Sequence, residues 1–255
     1  MIHLGPAGLG PEPIAMLNFL IDKGLDAAEV EFTHGVRMRP EAAKAICREN
    51  PGIKLSVHAP YFINLASPDR AKKEASIERI LQSSYLAHLL GAKYVVFHPG
   101  FYMKRTEEEV YDIIKEAIIR INIEIQMQGY DVVLAPETTG KPSQFGSLQE
   151  LLRLKEETGS GICIDFAHLI ARNRGRIDYE QIFQKVRDLD YLHCHFSGIE
   201  YGDKGERRHV EMQRSDFLPL AREALRAGKD MTIISESPVT WEDSLKMKKV
   251  LSEIQ

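Results

Sequence analysis

Six apolar segments of the chain each end at a residue that can bind a metal ion. These residues are His58, His98, Glu137, Asp165, His195 and Glu236. Imidazole and carboxylate groups without thiolates suit Zn²⁺, Mn²⁺ or Fe²⁺, and a mixed set of this kind is typical of a catalytic site. One ion takes only three or four protein ligands. The set, together with His168 and His209, therefore predicts more than one ion.

The chemistry that these groups predict is hydrolysis of a phosphodiester. Two ions about 3.5–4 Å apart and bridged by a carboxylate catalyse in-line displacement at phosphorus, because one activates water and the other stabilises the leaving oxygen. Glu137 stands near the middle of the six residues in chain order. It is therefore our candidate for the bridge.

The segments that would position these residues alternate with amphipathic helical patterns, and no linker rich in Pro, Gly or Ser interrupts them. Eight segments have the length and composition of strands: 2–5, 28–33, 53–58, 93–98, 131–137, 161–166, 191–196 and 231–236. Three pairs have the spacing of N-terminal capping boxes or close relatives: Thr106 with Glu109, Ser147 with Glu150, and Thr240 with Asp243. The glycines at positions 24, 91, 129 and 228 predict helix ends.

Apolar strands joined by helical crossovers predict a parallel sheet. Eight strand–helix units in about 250 residues predict an α/β fold, a single (β/α)₈ TIM barrel, as one domain over residues 1–255. The alternative is an open doubly wound sheet with a glycine-rich dinucleotide turn, but "GPAGLGPEP" at 5–13 lacks the G-x-G-x-x-G pattern. Because the carboxyl ends of barrel strands gather on one face, we expect the six residues to converge there.

Composition limits the partners and the compartment. The net charge of −4 argues against a generally basic nucleic-acid-binding surface, although it is compatible with a local positive groove. The three cysteines show no C-x-x-C spacing, which argues against a disulfide framework or a thiolate zinc site. No signal-peptide pattern and no apolar run of about 18 residues is present. We therefore expect a cytoplasmic protein that does not contact a membrane.

Five motifs in this order along the chain resemble the endonuclease IV family of apurinic/apyrimidinic endonucleases, within the xylose isomerase-like TIM barrels. They are "SVHAPYFINLAS" (56–67), "FHPG" (97–100), "PETTG" (136–140), "CIDFAH" (163–168) and "SESP" (235–238). The motifs cover most of the chain, and as a set they are highly specific. The resemblance implies a zinc-dependent nuclease of base excision repair that cleaves damaged double-stranded DNA on the 5′ side of an abasic site.

The resemblance also implies an arrangement of three zinc ions, with manganese as a possible substitute. The first ion would be held by His58, His98 and Glu137. The second would be held by Glu137, Asp165, His195 and Glu236, and the third by His168 and His209 together with one more ligand. Glu137 and Glu236 are the residues that we assign to catalysis.

This chain departs from the family pattern in "GDKGERRH" (202–209), where the family carries Asp-Arg-His and this sequence has Arg207-Arg208-His209. The third ion thus loses a carboxylate at position 207, and a guanidinium cannot replace it because it only donates. Either two ions are bound, or Asp203 or Glu206 supplies the oxygen. Arg207 could itself bind a phosphate. A second departure is "HFSG" (195–198), where the family has "HLND".

Three residues are candidates for contacts with DNA. Tyr61 and Phe62 follow a predicted metal ligand on a predicted loop, where the family inserts residues into the base stack. Arg37 stands where the family places a penetrating arginine. The alternative for the two aromatic residues is packing against the barrel rim.

Two other functions remain open. A sugar isomerase or epimerase with the same barrel and a single ion would need only Glu137, Asp165, His195 and Glu236. A protein that binds lesions or stores metal without cleaving DNA is compatible with the altered third site. The additional histidines favour the nuclease.

Overall fold

The computed structural model describes residues 1–254. The helices are α1 (Pro13–Asp22), α2 (Pro40–Glu49), α3 (Arg70–Leu90), α4 (Glu107–Met127), α5 (Leu148–Thr158), α6 (Phe166–Arg172), α7 (Tyr179–Lys185), α8 (Arg214–Ala227) and α9 (Thr240–Ile254). The strands are β1 (Ile2–Pro6), β2 (Ala27–Glu31), β3 (Lys54–His58), β4 (Tyr94–Phe97), β5 (Gly100–Phe101), β6 (Val133–Pro136), β7 (Gln144–Phe145), β8 (Cys163–Asp165), β9 (Tyr191–Phe196), β10 (Gly198–Gly202), β11 (Gly205–Val210) and β12 (Asp230–Ser235).

The chain divides into two compact units. Unit 1 consists of residues 1–29, 51–54 and 164 onward, and unit 2 consists of residues 30–50 and 55–163. The prediction that residues 1–255 form one domain stays a prediction.

Unit 1 contains a parallel sheet with the strand order β1-β12-β9-β8. Ile2 of β1 lies opposite Met231 of β12, and Ile234 of β12 lies opposite His195 of β9. Apart from their first residues, these strands are buried. Continuous burial of this kind is typical of parallel strands that are covered on both faces.

The second parallel sheet has the order β2-β3-β4-β6. In unit 2, His58 of β3 lies opposite Val96 of β4, and Phe97 of β4 lies opposite Pro136 of β6. The eight strands of the two parallel sheets match the eight predicted segments, with bounds that differ by at most two residues. The antiparallel pairs β5–β7 and β10–β11 were not expected from the sequence.

Most of the predicted helix boundaries are confirmed. The capping boxes of Thr106 and Ser147 are present, and all four predicted glycines have positive φ. The prediction for Thr240 is wrong, because Thr240 is the first residue of α9 and has a φ of 36°. Its expected partner Asp243 instead accepts a hydrogen bond of 2.7 Å from the backbone amide of Met212. A distant backbone donor thus replaces the local one.

The hairpin β10–β11 is the main addition to the predicted fold. It turns at residues 203 and 204, and its register shifts between Glu200 and Tyr201. Glu200 lies opposite Arg208 and Tyr201 lies opposite Glu206, so Arg207 is the extra residue of a β-bulge. No helix within residues 1–254 is long and apolar enough to cross a membrane.

Candidate metal centre

In unit 2, two histidines and a glutamate meet at the carboxyl ends of three neighbouring strands. His58 is the last residue of β3, His98 directly follows β4, and Glu137 directly follows β6. Oε2 of Glu137 lies 3.1 Å from Nε2 of His58 and 2.8 Å from Nε2 of His98. Glu137 is fully buried and His58 is nearly so. The order β3-β4-β6 in the sheet explains this convergence.

The environment of His58 fits a bound cation. Its Nδ1 lies 2.7 Å from the carbonyl oxygen of Ala59, and a carbonyl only accepts, so Nδ1 carries the proton. A neutral ring then directs the lone pair of Nε2 at the carboxylate of Glu137, which also only accepts. Such a contact needs a proton or a cation between the two atoms. Ligand atoms of tetrahedral zinc lie about 3.3–3.6 Å apart, given bonds of about 2.0–2.2 Å. The contacts of 3.1 and 2.8 Å are shorter, so the side chains would move slightly apart around an ion.

In unit 1, a second group lies at the ends of β8, β9 and β12. Asp165 ends β8, His195 is the next-to-last residue of β9, and Glu236 directly follows β12. Their ligand atoms lie within 4.8 Å of one another, and Nδ1 of His195 lies 3.2 Å from Oε1 of Glu236. These strands are neighbours in their sheet, so parallel pairing again brings the residues together.

Glu29 of β2 belongs to this group, although the sequence pattern did not single it out. Its Oε1 lies 3.0 Å from Nε2 of His195, and its Oε2 accepts a hydrogen bond of 3.1 Å from Nε2 of His193. Burial by itself would raise the pKa of Glu29, but the charge of His195 and the hydrogen bonds from both histidines hold this pKa well below its ordinary value. The feature of the sequence that could have identified Glu29 is a carboxylate within an otherwise apolar strand.

A pair of histidines lies next to the second group. His168, on the first turn of α6, and His209, on β11, bring their Nε2 atoms to 3.2 Å from each other. Asp165 links the pair to the strand end: its Oδ1 accepts from the backbone amide of His168, and its Oδ2 lies 3.4 Å from Nδ1 of that ring. Oε2 of Glu236 lies 3.6 Å from Nε2 of His209.

The hairpin residues near this pair fall in different places. Asp203 lies in the exposed turn of the hairpin, and Arg207 is exposed on the bulge. Glu206 is largely buried, and its Oε2 lies 3.5 Å from Nε2 of His168. Of the two carboxylates considered from the sequence, Glu206 is thus the one that reaches the histidine pair.

The three residues predicted to contact DNA all lie at the surface of unit 2. Tyr61 and Phe62 are half exposed, and Arg37 is exposed between β2 and α2. The ring centroid of Tyr61 is 5.6 Å from that of His58, while the guanidinium of Arg79 lies 4.8 Å from the centroid of Phe62. Tyr61 therefore packs beside the first group of candidate ligands and still presents half of its surface to solvent.

The two units carry parallel sheets whose strands end in groups of imidazoles and carboxylates, which is the arrangement of metal-dependent α/β enzymes. The chain belongs to the Xylose isomerase-like TIM barrel family, whose model matches residues 17–251. The predicted α/β barrel fold is thereby confirmed.

Two relatives illustrate the range of similarity. An uncharacterized protein of Methanocaldococcus jannaschii is 38% identical over 271 residues, which cover all of this chain and 98% of the relative. A probable endonuclease 4 of Mycoplasma mobile is 35% identical over 156 residues, or 58% of this chain. That second match spans about half of the relative, 52% of its length. The predicted resemblance to endonuclease IV proteins is confirmed.

Two solved structures show the same fold. Endonuclease IV from Thermus thermophilus has a TM-score of 0.70 at 21% identity, with 99% of both chains covered. A D-tagatose 3-epimerase-like protein has a TM-score of 0.74 at 21% identity, with 98% of this chain and 95% of the other covered. The fold thus occurs in proteins of both kinds, and by itself it does not separate a nuclease from an epimerase.

Proposed function

We propose that the protein is a metal-dependent apurinic/apyrimidinic endonuclease that hydrolyses the DNA phosphodiester on the 5′ side of an abasic site. The observation that carries the proposal is the group formed by His58, His98 and Glu137. A sugar isomerase with one ion needs Glu137, but it has no need for two imidazoles directed at the same carboxylate oxygen. These imidazoles are ligands for a further ion.

The residues of the two units have separate tasks in this proposal. His58, His98 and Glu137 would hold one zinc ion, while Asp165, His195 and Glu236 would hold another, as the family resemblance implies. Ions of this kind activate water and stabilise the leaving oxygen of a phosphodiester. The bridging role of Glu137 is likewise proposed from the family resemblance.

Glu137 and Glu236 are the residues that we assign to catalysis. An ionised carboxylate only accepts, so each can hold a cation with one oxygen and receive a proton from the attacking water with the other. The burial of Glu137 keeps its carboxylate in one orientation. The names of the endonuclease 4 relatives, which share sequence as well as fold, support hydrolysis of DNA as the reaction.

Arg37, Tyr61 and Phe62 would contact the damaged duplex. Their exposure on one unit that also holds the first group of ligands supports this role. Exposed aromatic rings stack on bases, and an arginine binds a phosphate or enters a groove. The net charge of −4 requires that the positive contacts be local.

The second candidate function is epimerisation of a keto-sugar. It is favoured by the acidic charge balance and by the fold shared with the D-tagatose 3-epimerase-like protein. It predicts one tightly bound ion and no cleavage of DNA.

The decisive experiment incubates zinc-loaded protein with a duplex that contains one abasic site, and separately with keto-hexoses. We expect a single cut on the 5′ side of the lesion that leaves a 3′-hydroxyl, and no epimerised sugar. Glu137→Gln should abolish cleavage, because it removes the charge that both imidazoles face. Glu78→Gln, at an exposed position of α3, is the matched control and should cleave like the wild type.

Two outcomes would reject the proposal. One is an intact abasic duplex together with conversion of a keto-sugar. The other is cleavage that survives Glu137→Gln at the wild-type rate, which would point to a contaminating nuclease.

A further inference from the structure

The hairpin β10–β11 brings the carboxylate of Glu206 to His168, although Glu206 is only one of the two acidic residues that the sequence offers for this place. Side chains alternate between the two faces of a regular strand, so residue 207 would share a face with His209. The bulge at Arg207 breaks this alternation, because the two residues of a bulge that oppose one partner point to similar sides. Arg207 and Arg208 oppose Glu200 and are both exposed.

As a result, Glu206 lies on the inner face together with His209. The side chain of Glu206 is 16% exposed, and Arg208 forms a bidentate pair with Glu200 on the outer face. Because of the bulge, the face that meets α6 carries the carboxylate of Glu206 instead of the guanidinium of Arg207.

The two histidines beside the hairpin direct their Nε2 atoms at each other. The hydroxyl of Ser197 donates to the carbonyl of Gly198, so it can only accept from Nδ1 of His209, which lies 2.6 Å away. Nδ1 of His168 lies 3.4 Å from the carboxylate of Asp165. Nδ1 of His209 thus carries the proton, and Nε2 of His209 is the acceptor in the 3.2 Å contact with Nε2 of His168. A cation bound to both Nε2 atoms would require the proton of His168 to lie on Nδ1, the atom that faces Asp165.

The ligand atoms of Asp165, His168, His209 and Glu236 lie within 4.8 Å of one another, and Glu206 contacts this cluster at His168. Nε2 of His168 lies 3.2 Å from Nε2 of His209 and 3.5 Å from Oε2 of Glu206. Nε2 of His209 lies 3.6 Å from Oε2 of Glu236. Ligands of tetrahedral zinc lie about 3.3–3.6 Å apart. Of the three separations, those of 3.5 and 3.6 Å fall within that range and that of 3.2 Å lies just below it. All of these residues belong to unit 1.

We propose that Glu206 is a ligand of a third divalent cation, bound with His168 and His209, and that Oε2 of Glu236 completes the site. Because Oε1 of Glu236 faces His195, this carboxylate would link the third ion to the second. The bulge restores the negative charge that Arg207 removes. The inference adds one more ion to the proposed function. It rests on that function only in assuming that the protein binds metal.

The test counts ions rather than products. Wild-type protein and variants are equilibrated with buffered zinc, separated from free metal and measured by elemental analysis, and isothermal titration gives the affinity of each site. We expect Glu206→Gln and His209→Asn each to lose one zinc ion per chain, or to bind it more than about 100-fold more weakly, since even indirect support of a ligand contributes about 10–100-fold.

Glu200→Gln is the matched control, because it removes a carboxylate from the outer face of the same hairpin. It should keep the wild-type ion count. Adding Arg207→Asp to Glu206→Gln should not restore the lost ion, because position 207 faces outward. Melting of the metal-free proteins shows whether each variant folds.

An equal zinc count in wild type and Glu206→Gln would overturn the inference, as would rescue by Arg207→Asp. Both readouts are independent of DNA cleavage. A protein that loses one ion in Glu206→Gln but leaves abasic DNA intact would keep this inference and reject the nuclease. Cleavage of abasic DNA together with an unchanged ion count in Glu206→Gln would reject this inference and keep the nuclease.

Discussion

Replacement of Glu29 by glutamine should weaken metal binding in unit 1 without removing any proposed ligand. The two oxygens of Glu29 face Nε2 of His193 and Nε2 of His195. With the proton held on Nε2, His195 directs the lone pair of Nδ1 at Glu236 and the proposed ion. Glutamine has one acceptor and one donor, so in Glu29→Gln one of the two histidines must face an amide NH₂.

The expected magnitude follows from this arrangement. Loss of a carboxylate that orients a ligating histidine costs about 10–100-fold in metal affinity, or about 1.4–2.7 kcal/mol. Isothermal titration or competition with a chromophoric chelator measures this loss. The matched control is Asp26→Asn, because Asp26 accepts a hydrogen bond of 2.6 Å from His3, which is not a proposed ligand. The control should bind zinc like the wild type.

A second measurement separates positioning from general destabilisation. The pKa of Glu29 is lowered in the folded protein, so its ionisation contributes stability that is present above the unfolded pKa of about 4.3 and is lost as the pH falls through the folded pKa. Metal-free Glu29→Gln should therefore lose less stability than the wild type on acidification below about pH 4.3. If Glu29→Gln binds zinc within about twofold of the wild type at neutral pH, instead of the 10–100-fold loss expected, the positioning argument is wrong.

Three further predictions concern other parts of the molecule. Tyr61→Ala should weaken binding to an abasic duplex about 5–150-fold, as expected for loss of one stacked base, and weaken binding to intact DNA much less. Equal losses of affinity for the two duplexes would mean that Tyr61 only packs against the barrel rim. Iodoacetamide at mildly alkaline pH should label native protein once, at exposed Cys47. Cys163 and Cys194 are buried, and burial raises the pKa of Cys194 to about 12. A second label found by mass spectrometry would contradict the buried positions. Removal of zinc by a chelator should lower Tm by about 5–11 °C, because an ion at about 100 times its Kd stabilises the native state by about 2.7 kcal/mol. Calorimetry that shows no shift would mean that metal does not bind preferentially to the folded state.

The sequence by itself determined the strands and the types of residue at their ends. Short apolar segments identify buried parallel strands because burial on both faces requires a nearly continuous apolar run. The positions of His58 and Glu137 follow from the same pattern, since each stands where its run stops. Capping at Thr106 and Ser147 was predictable because both partners lie within one helical turn.

Tertiary structure decided the features that depend on residues far apart in the chain. Asp243 does not cap its own helix, because the amide of Met212 is a better placed donor. Glu29 contacts His195 only through the packing of β2 in unit 1. The face of Glu206 depends on a one-residue shift between two strands. Local sequence does not fix such a shift, because the face that is buried is decided by the packing of β11 against α6.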